Sequence, residues 1–326
     1  MKLNGTSLCV AVASWLLLGL LATACEDEHP PAVMAPVANY TLKDARGATA
    51  AEIAFDPRGM RLVKTVDKAA ANWVLEPDTH GAWDYREWQW WKGHPWGESC
   101  RPRYWTKAKF DPEQKNVTIR YTIDGFHCTQ QYFLPELVEA DSPHWDLITT
   151  IQNVSGGDVE EYAQFFACYT TNQRKSFWFW EAGGQLTRFA DRGVHHLNGY
   201  VAHPQAYFLS DGAIPHCPRG GGKIVATWQR PVLVSRASSD GWRSVILVEA
   251  DRTAALAQGI GGNAMDYILF PGPKARTFAN GSEFSAHIRH YLIKSADLPS
   301  RETLEALWRQ FEASHEILHR VAEESR

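Results

Sequence analysis

Residues 116–134 read NVTIRYTIDGFHCTQQYFL, two runs of alternating character on either side of an Asp-Gly pair. Apolar residues occupy every second position from Val117 to Ile123, which is the period of a strand with one buried face. Asp124-Gly125 is typical of a tight turn between antiparallel strands. This stretch therefore predicts a β-hairpin.

The same alternation recurs along most of the chain. Further strands are predicted at 145–152, 159–169, 223–228, 232–237, 244–249, 267–270 and 284–294. In the last of these, Phe284, Ala286, Ile288, His290 and Leu292 share one face, whereas His287, Arg289 and Tyr291 share the other. Many short strands without intervening helices predict an all-β fold, a large antiparallel β-sandwich.

The C-terminal residues follow a helical period instead. Ser300 can cap a helix, and apolar residues recur at helical spacing at Leu304, Leu307, Trp308, Phe311, Leu318 and Val321. We expect this amphipathic helix to pack against the outside of the sheet. The predicted layout is a signal peptide (1–24), a flexible tether (25–40), a β-sandwich domain (41–298) and a C-terminal helix (299–326).

The first residues predict export. Lys2 precedes an uncharged run, residues 8–24, as in a secretory signal peptide. Ala22-Thr23-Ala24-Cys25 resembles a lipobox, in which Cys25 is lipidated, and it also suits ordinary signal peptidase. Both peptidases would cut before Cys25. We expect an exported lipoprotein, anchored to a membrane through Cys25 and located in the periplasm or at the cell surface.

The net charge limits the partners that we expect, and the cysteine content predicts disulfide bonds. A net charge of −4 offers no basic surface for nucleic acid. Cys100, Cys128, Cys168 and Cys217 remain after processing, which predicts two disulfides in an oxidising compartment. Cys100–Cys128 is the preferred pair, because both lie near strand ends around one hairpin. No metal site, no cofactor and a monomeric state are expected.

Residues 83–105 read WDYREWQWWKGHPWGESCRPRYW and hold six of the 14 tryptophans. Aromatic rings suit the flat C–H faces of sugars, and charged side chains suit their hydroxyls. The candidate substrate-binding residues here are Trp88, Trp96, Glu87, His94 and Arg103. Alternation along a strand would place Trp88 and Trp90 on one face and Trp91 on the other. The alternative is that these rings fill the core.

Residues 194–208, VHHLNGYVAHPQAYF, bring three histidines into nine residues. Histidine is the natural acid–base group near neutral pH. His203 or Tyr207 could abstract a proton, and Asn198 or Arg103 could stabilise the developing charge. The alternative is a set of exposed loop histidines without a chemical role.

Three segments carry a family resemblance: LITTIQNVSGGDVE at 147–160, DYILFPGP at 266–273 and FSAHIRHYLI at 284–293. Together with the strand rhythm they resemble the galactose mutarotase-like supersandwich, which aldose epimerases share with some polysaccharide lyases. The resemblance implies a histidine acid and a glutamate base. Residues 196–200 partly match the family's histidine motif, so His196 or His203 would be the proton donor and Glu249 a base.

Three functions remain open from the sequence. The first is a carbohydrate-active enzyme, an epimerase or a polysaccharide lyase, working on an oligo- or polysaccharide at a Trp/His-rich cleft. The second is a carbohydrate-binding lipoprotein without catalysis. The third is a structural envelope protein whose aromatic residues are all core.

Overall fold

The computed structural model describes residues 38–43, 49–56, 59–65, 85–91, 109–111, 116–123, 125–133, 142–169, 176–194, 199–205, 223–237, 242–258 and 264–325. For β1–β5, defined below, only the backbone is described. All of these residues belong to one compact unit, Ala35–Arg326.

Most of the described chain is β-structure. The strands are β1 Ala38–Lys43, β2 Thr49–Asp56, β3 Gly59–Thr65, β4 Tyr85–Trp90, β5 Lys109–Asp111, β6 Asn116–Ile123, β7 Phe126–Phe133, β8 His144–Asn153, β9 Val159–Glu160, β10 Ala163–Tyr169, β11 Phe177–Glu181, β12 Leu186–Arg188, β13 Gly199–Ala202, β14 Lys223–Ser235, β15 Trp242–Val248, β16 Thr253–Gln258, β17 Ala264–Leu269, β18 Thr277–Phe278 and β19 Glu283–Lys294. Within the described residues one α-helix, α1, spans Arg301–Glu324.

The main sheet has two halves that meet at β14. The first half-sheet has the order β4-β10-β17-β16-β13, and the second has the order β15-β19-β8-β7-β6-β5. β11 pairs with β14 and β12, whereas β1–β3 and the β9–β18 pair form small separate sheets. Every pair in the main sheet is antiparallel except β13–β14, which is parallel. The main sheet of the predicted antiparallel sandwich thus contains one parallel pair among its described strands.

Strand β14 changes partners along its length. Residues 223–227 pair with β13, and residues 232–234 pair with β15. The sequence predicted two strands, 223–228 and 232–237, but β14 is continuous through Pro231. Proline has no N–H for a ladder, and it is tolerated here because the change of partner falls at this point.

The largest core cluster lies between the two half-sheets. It contains Phe166, Leu256 and Tyr267 from the first half-sheet together with Leu147 and Ile288 from the second. Two sheet faces that bury their apolar residues against each other form a sandwich. The predicted all-β sandwich is confirmed.

The outer face of the second half-sheet is covered by α1. Ser300 caps the helix, since its hydroxyl accepts a hydrogen bond from the Thr303 N–H at 3.2 Å. Trp308 and Phe311 of α1 pack with Tyr291 of β19 in one buried cluster. Phe284 and Ile288 point instead into the main core. The predicted helix and the predicted alternation along β19 are confirmed.

Several predictions concern residues that lie outside the described part of the chain or at its beginning. The signal peptide, Cys25 and Cys100 lie outside the described residues, so export, lipidation and the Cys100–Cys128 pair stay predictions. Cys128 itself is buried in the main core. Strand β1 begins at Ala38, inside the predicted tether. In the part of the chain described, no helix has the length and apolar character needed to cross a bilayer.

Candidate functional site

The predicted site residues divide into three groups. Outside the described residues lie His94, Trp96, Arg103, His196, Asn198 and Tyr207. Glu87 and Trp88 are placed by the backbone of β4. His203 and Glu249 are described in full. Only the last two groups can be tested by geometry.

The outer face of the first half-sheet carries a second buried cluster, which we call the alanine face. Its members are Ala163, Phe165, Tyr200, Ala254, Ala255, Ala257, Ile268 and Phe270. The register places Trp88 opposite Phe165, and Phe165 opposite Ile268. Directly opposed residues of an antiparallel pair share a face. Trp88 therefore belongs to the alanine face.

Glu87 belongs to the other side of β4. It is opposite Phe166, whose ring is part of the main core. Trp91 also packs towards the main core, with its ring 5.2 Å from that of Phe126. The expected split of Trp88 and Trp91 between two faces is thus observed, and Trp88 and Glu87 do not share a face.

Asp266 is the one acidic residue that the register of the described strands brings to the alanine face. It is opposite Ala167 of β10 and Ala257 of β16, and Arg86 of β4 is also opposite Ala167. Asp266 is 3% exposed, and its Oδ1 has no hydrogen-bond partner among the described residues. Burial raises the pKa of Asp266 well above its ordinary value. Burial therefore favours the protonated form of this carboxyl over the carboxylate.

The sequence around Asp266 carries a signal that distinguishes this residue from its neighbours. Asp266 and Ile268 alternate along β17 and Phe270 directly follows it, so an acid interrupts an otherwise apolar stripe. Because Asp266 stands near the predicted start of a strand, its polarity resembled that of a strand end. Only the pairing with β10 and β16 shows that it is interior.

His203 directly follows β13 and is nearly buried. Its ring lies edge-on to Trp228, at 4.9 Å, and 6.1 Å from Phe270 of the alanine face. Desolvation lowers the pKa of His203, against the opposing charge of Asp251. The Gln205 N–H donates to Nδ1 at 2.8 Å. A neutral ring that accepts at Nδ1 carries its proton on Nε2, so His203 offers a hydrogen-bond donor at Nε2 and no free lone pair with which to abstract a proton.

Glu249 lies in different surroundings. It follows β15, and its carboxylate faces α1, where Oε1 is 3.6 Å from His315 Nε2 and Oε2 is 3.5 Å from His319 Nε2. No contact among the described residues joins Glu249 to His203. The acid–base pair of His203 and Glu249 that the resemblance implies is therefore not assembled by these contacts.

Residues 315–319 read His-Glu-Ile-Leu-His, an H-E-x-x-H sequence within α1. The expectation of no metal site, and the interpretation of α1 as a packing helix alone, did not take this spacing into account. Histidines four residues apart lie on one face of a helix and can bind one metal ion. Glu249, His315 and His319 offer ligand atoms that all lie within 4.8 Å of one another.

A buried polar network lies next to this cluster, between α1 and the second half-sheet. Asp146 of β8 accepts hydrogen bonds from Arg289 Nε at 2.6 Å and from Arg289 Nη2 at 2.9 Å. His287 Nε2 lies 2.6 Å from the same carboxylate. Although burial opposes it, the Arg289 and His287 contacts hold the pKa of Asp146 below its ordinary value. The network joins β8 and β19, and Arg289 extends it to Ser314 of α1 at 2.8 Å.

Comparisons with known proteins give structural matches only. No family model and no curated protein matches the chain. A protein from Escherichia coli K12 assigned as an aldose 1-epimerase aligns over 79% of this chain and 99% of its own, with 7% identity and a TM-score of 0.39. One from Klebsiella pneumoniae with the same assignment aligns over 87% and 86%, with 9% identity and a TM-score of 0.34.

A polysaccharide lyase aligns over 83% of this chain and 34% of its own, with 11% identity and a TM-score of 0.33. These proteins fall into the two classes that the sequence resemblance named. With every TM-score below 0.5, the alignments assign no activity and no residue role to this chain.

Proposed function

We propose that the protein acts on carbohydrate at the alanine face, with Asp266 as the acid and Trp88 as an aromatic platform. The observation that carries this proposal is the strand register, which gives an indole-bearing residue and a buried carboxyl with a raised pKa to the same face of the first half-sheet. Sugar sites combine these two chemistries, an aromatic surface for C–H groups and a donor for oxygen.

The state of Asp266 favours an enzyme over a passive binding protein. A neutral carboxyl can donate its proton to a ring or glycosidic oxygen, which makes that oxygen a better leaving group. Burial without a full set of partners is the environment that keeps a catalytic carboxyl protonated at neutral pH. The free Oδ1 supports this role, because a substrate hydroxyl could supply the missing hydrogen bond.

The export signal and the anchor at Cys25 belong to the same proposal. A tethered domain beyond the membrane would meet extracytoplasmic glycans, which are the substrates that the aromatic content favours. Fatty-acid labelling of cells expressing the protein tests the anchor separately. Label should enter the wild type and be absent from Cys25→Ser.

The catalytic proposal is tested with Asp266→Asn. The purified protein is screened against mono-, oligo- and polysaccharides by thermal shift, polarimetry for anomer exchange and ultraviolet absorbance for unsaturated uronates. Asp266→Asn keeps the size of the side chain but removes the acid, so we expect binding to persist while turnover falls by about 10²-fold or more. Turnover equal to that of the wild type would contradict the acid role.

The platform is tested with a matched pair on β4. Trp88→Ala should weaken sugar binding about tenfold or more, through loss of ring contact. Gln89→Ala changes the next residue, on the opposite face, and should leave binding unchanged. A response to no glycan at all, or equal loss in both variants, would overturn the carbohydrate proposal.

A further inference from the structure

We propose that Glu249, His315 and His319 form a divalent transition-metal site, best suited to Zn²⁺, between the end of β15 and the last turns of α1. The site is separate from the alanine face and does not depend on the carbohydrate proposal. It joins one carboxylate from the sheet to two imidazoles from the helix. Two histidines and one glutamate are a ligand set of catalytic zinc sites.

The spacing of the ligand atoms suits a metal better than it suits hydrogen bonds. The two Glu249 oxygens lie 3.6 Å and 3.5 Å from the Nε2 atoms of His315 and His319. Ligands at tetrahedral zinc stand roughly 3.3 Å apart, given the usual metal–ligand distances. Hydrogen bonds of this type are shorter, about 2.7–3.2 Å. His319 Nε2 is also buried, and none of the described residues forms a hydrogen bond with it.

The part of α1 that carries His315 and His319 is held against the sheet by the buried side chain of Phe311. Phe311 lies one turn before His315, is buried, and stacks on the His287 ring at 4.3 Å. The His315 and His319 rings are 4.3 Å apart. Residues 311, 315 and 319 therefore share the face of α1 that packs on β19. A metal would need little rearrangement of these side chains.

His287 supplies an independent indication of a ligand. It is fully buried, and within the described part of the chain its Nδ1 has no hydrogen-bond partner. Its Nε2 is engaged by Asp146 at 2.6 Å, so the free Nδ1 carries a lone pair. Metal-binding histidines commonly donate their other ring N–H to a carboxylate in this way. Its ring centre lies 5.6 Å from that of His315 and 6.5 Å from that of His319, so His287 adjoins the site, whose three ligands are Glu249, His315 and His319.

The electrostatic surroundings of the three ligands also suit a cation. Desolvation lowers the pKa of His315 and of His287, which favours the neutral imidazole that binds a metal. Although burial opposes it, the contacts with His319 and His315 hold the pKa of Glu249 below its ordinary value. Arg252, 3.9 Å from Glu249, is the one nearby cation among the described residues that competes for the carboxylate. His315 and His319 keep 30% and 20% of their side-chain surface exposed, which leaves a path for a metal from solvent.

The test is direct titration of the chelator-treated full chain with Zn²⁺, and then with Co²⁺ as a spectroscopic probe. We expect about one zinc ion per chain, a rise in Tm on binding, and the visible bands of tetrahedral cobalt without a thiolate charge-transfer band. The absence of thiolate bands separates this site from the cysteines. His315→Ala/His319→Ala should lose the ion and the Tm response.

Controls keep a folding defect apart from loss of the site. Glu249→Gln preserves shape and should weaken zinc binding at least tenfold while the far-ultraviolet circular dichroism is unchanged. His127→Ala removes an exposed histidine of β7 and should change nothing. A wild type that binds no zinc, thiolate bands with cobalt, or the same stoichiometry in the double-histidine variant would each overturn the site.

Discussion

At the scale of single residues, removing one of the buried charges between α1 and the sheet should lower the free energy of unfolding by a large amount. Asp146 and Arg289 are 1% and 0% exposed and form a bidentate pair. Removing one member of such a pair leaves the other charged and desolvated, which is worse than losing the attraction alone. Exposed ion pairs on the same protein contribute far less.

Asp146→Asn should therefore lower the free energy of unfolding by about 3–5 kcal/mol, because Arg289 keeps its charge without a counter-ion. The matched control is Asp191→Asn, which breaks an exposed pair with Arg188 at 2.6 Å and should cost at most about 1 kcal/mol. Urea denaturation of the three proteins measures both. Equal losses in the two variants would contradict a buried pair.

His290 gives the protein a predictable sensitivity to acid. It is buried against Trp145, with the rings 4.9 Å apart, and desolvation lowers its pKa to about 3. Between that value and the ordinary histidine pKa, the unfolded chain binds a proton that the folded chain does not. Stability from this group is present above the ordinary pKa of about 6.5 and is lost as pH falls towards the folded value.

His290→Phe removes this proton uptake. Between pH 6 and pH 4 the wild type should lose up to about 1.4 kcal/mol more stability per pH unit than the variant. Unfolding curves at several pH values give the difference in slope. The same slope in both proteins would show that His290 is already protonated in the fold.

At the scale of elements, the turn between β6 and β7 contains a glycine, Gly125, whose backbone conformation and surroundings both disfavour a side chain. Gly125 has φ +85°, and a Cβ there would meet the Ser155 Cα at 2.8 Å. Ser155 belongs to the next turn, which Asn153 holds by accepting from the Ser155 N–H at 3.0 Å. The β7 hairpin turn and the turn after β8 are thus packed against each other.

Gly156 provides the matched control for this close approach. Its φ of +90° is similar, but no atom of the described residues lies within 4 Å of its Cβ position. Gly156→Ala should cost only about 1–2 kcal/mol, the price of a left-handed alanine. Gly125→Ala should cost clearly more, because the turn must also move. Equal Tm values for the two variants would show that the turns do not touch.

Helix α1 depends on its buried face. Trp308 is 2% exposed and lies under Arg230, whose guanidinium is 4.8 Å from the ring centre. Trp308→Ala should cost about 3–5 kcal/mol through loss of burial and the cavity that remains. Ile317→Ala, on the exposed side of the same helix, should change stability by about 0.5 kcal/mol or less. Chemical denaturation compares the two, and a similar loss in both would contradict the docking of α1.

At the scale of the whole molecule, local patterns were sufficient for the architecture but not for the long-range pairings. Local patterns predict β6, β8 and β19 as strands, and the alternation along β19 predicts which residues face the main core and which face α1, because alternation is a local consequence of the pleat. The parallel β13–β14 pair and the continuity of β14 through Pro231 depend on which strands meet, and no local signal encodes that.

The candidate sites show the same division. The tryptophan-rich segment predicts Trp88 as a binding residue from composition alone. The interior position of Asp266 follows only from its pairing opposite Ala167 and Ala257. The family resemblance implies that Glu249 is a base acting on a sugar, but at the end of β15 its carboxylate lies next to His315 and His319. The His-Glu-Ile-Leu-His spacing was readable in the sequence; its third ligand, 66 residues before His315, was not.

The central claim, a carbohydrate site on the alanine face, is tested most directly by the alanine methyl groups themselves. The protein is labelled with ¹³C at alanine methyls, and spectra are recorded during titration with the glycan that gives the largest thermal shift. Ala255 and Ala257 should shift with one saturating dissociation constant, whereas Ala286 of the main core and Ala322 of α1 should not. Shifts confined to Ala286 or Ala322, or no shift at Ala255 and Ala257 at saturation, would contradict the account.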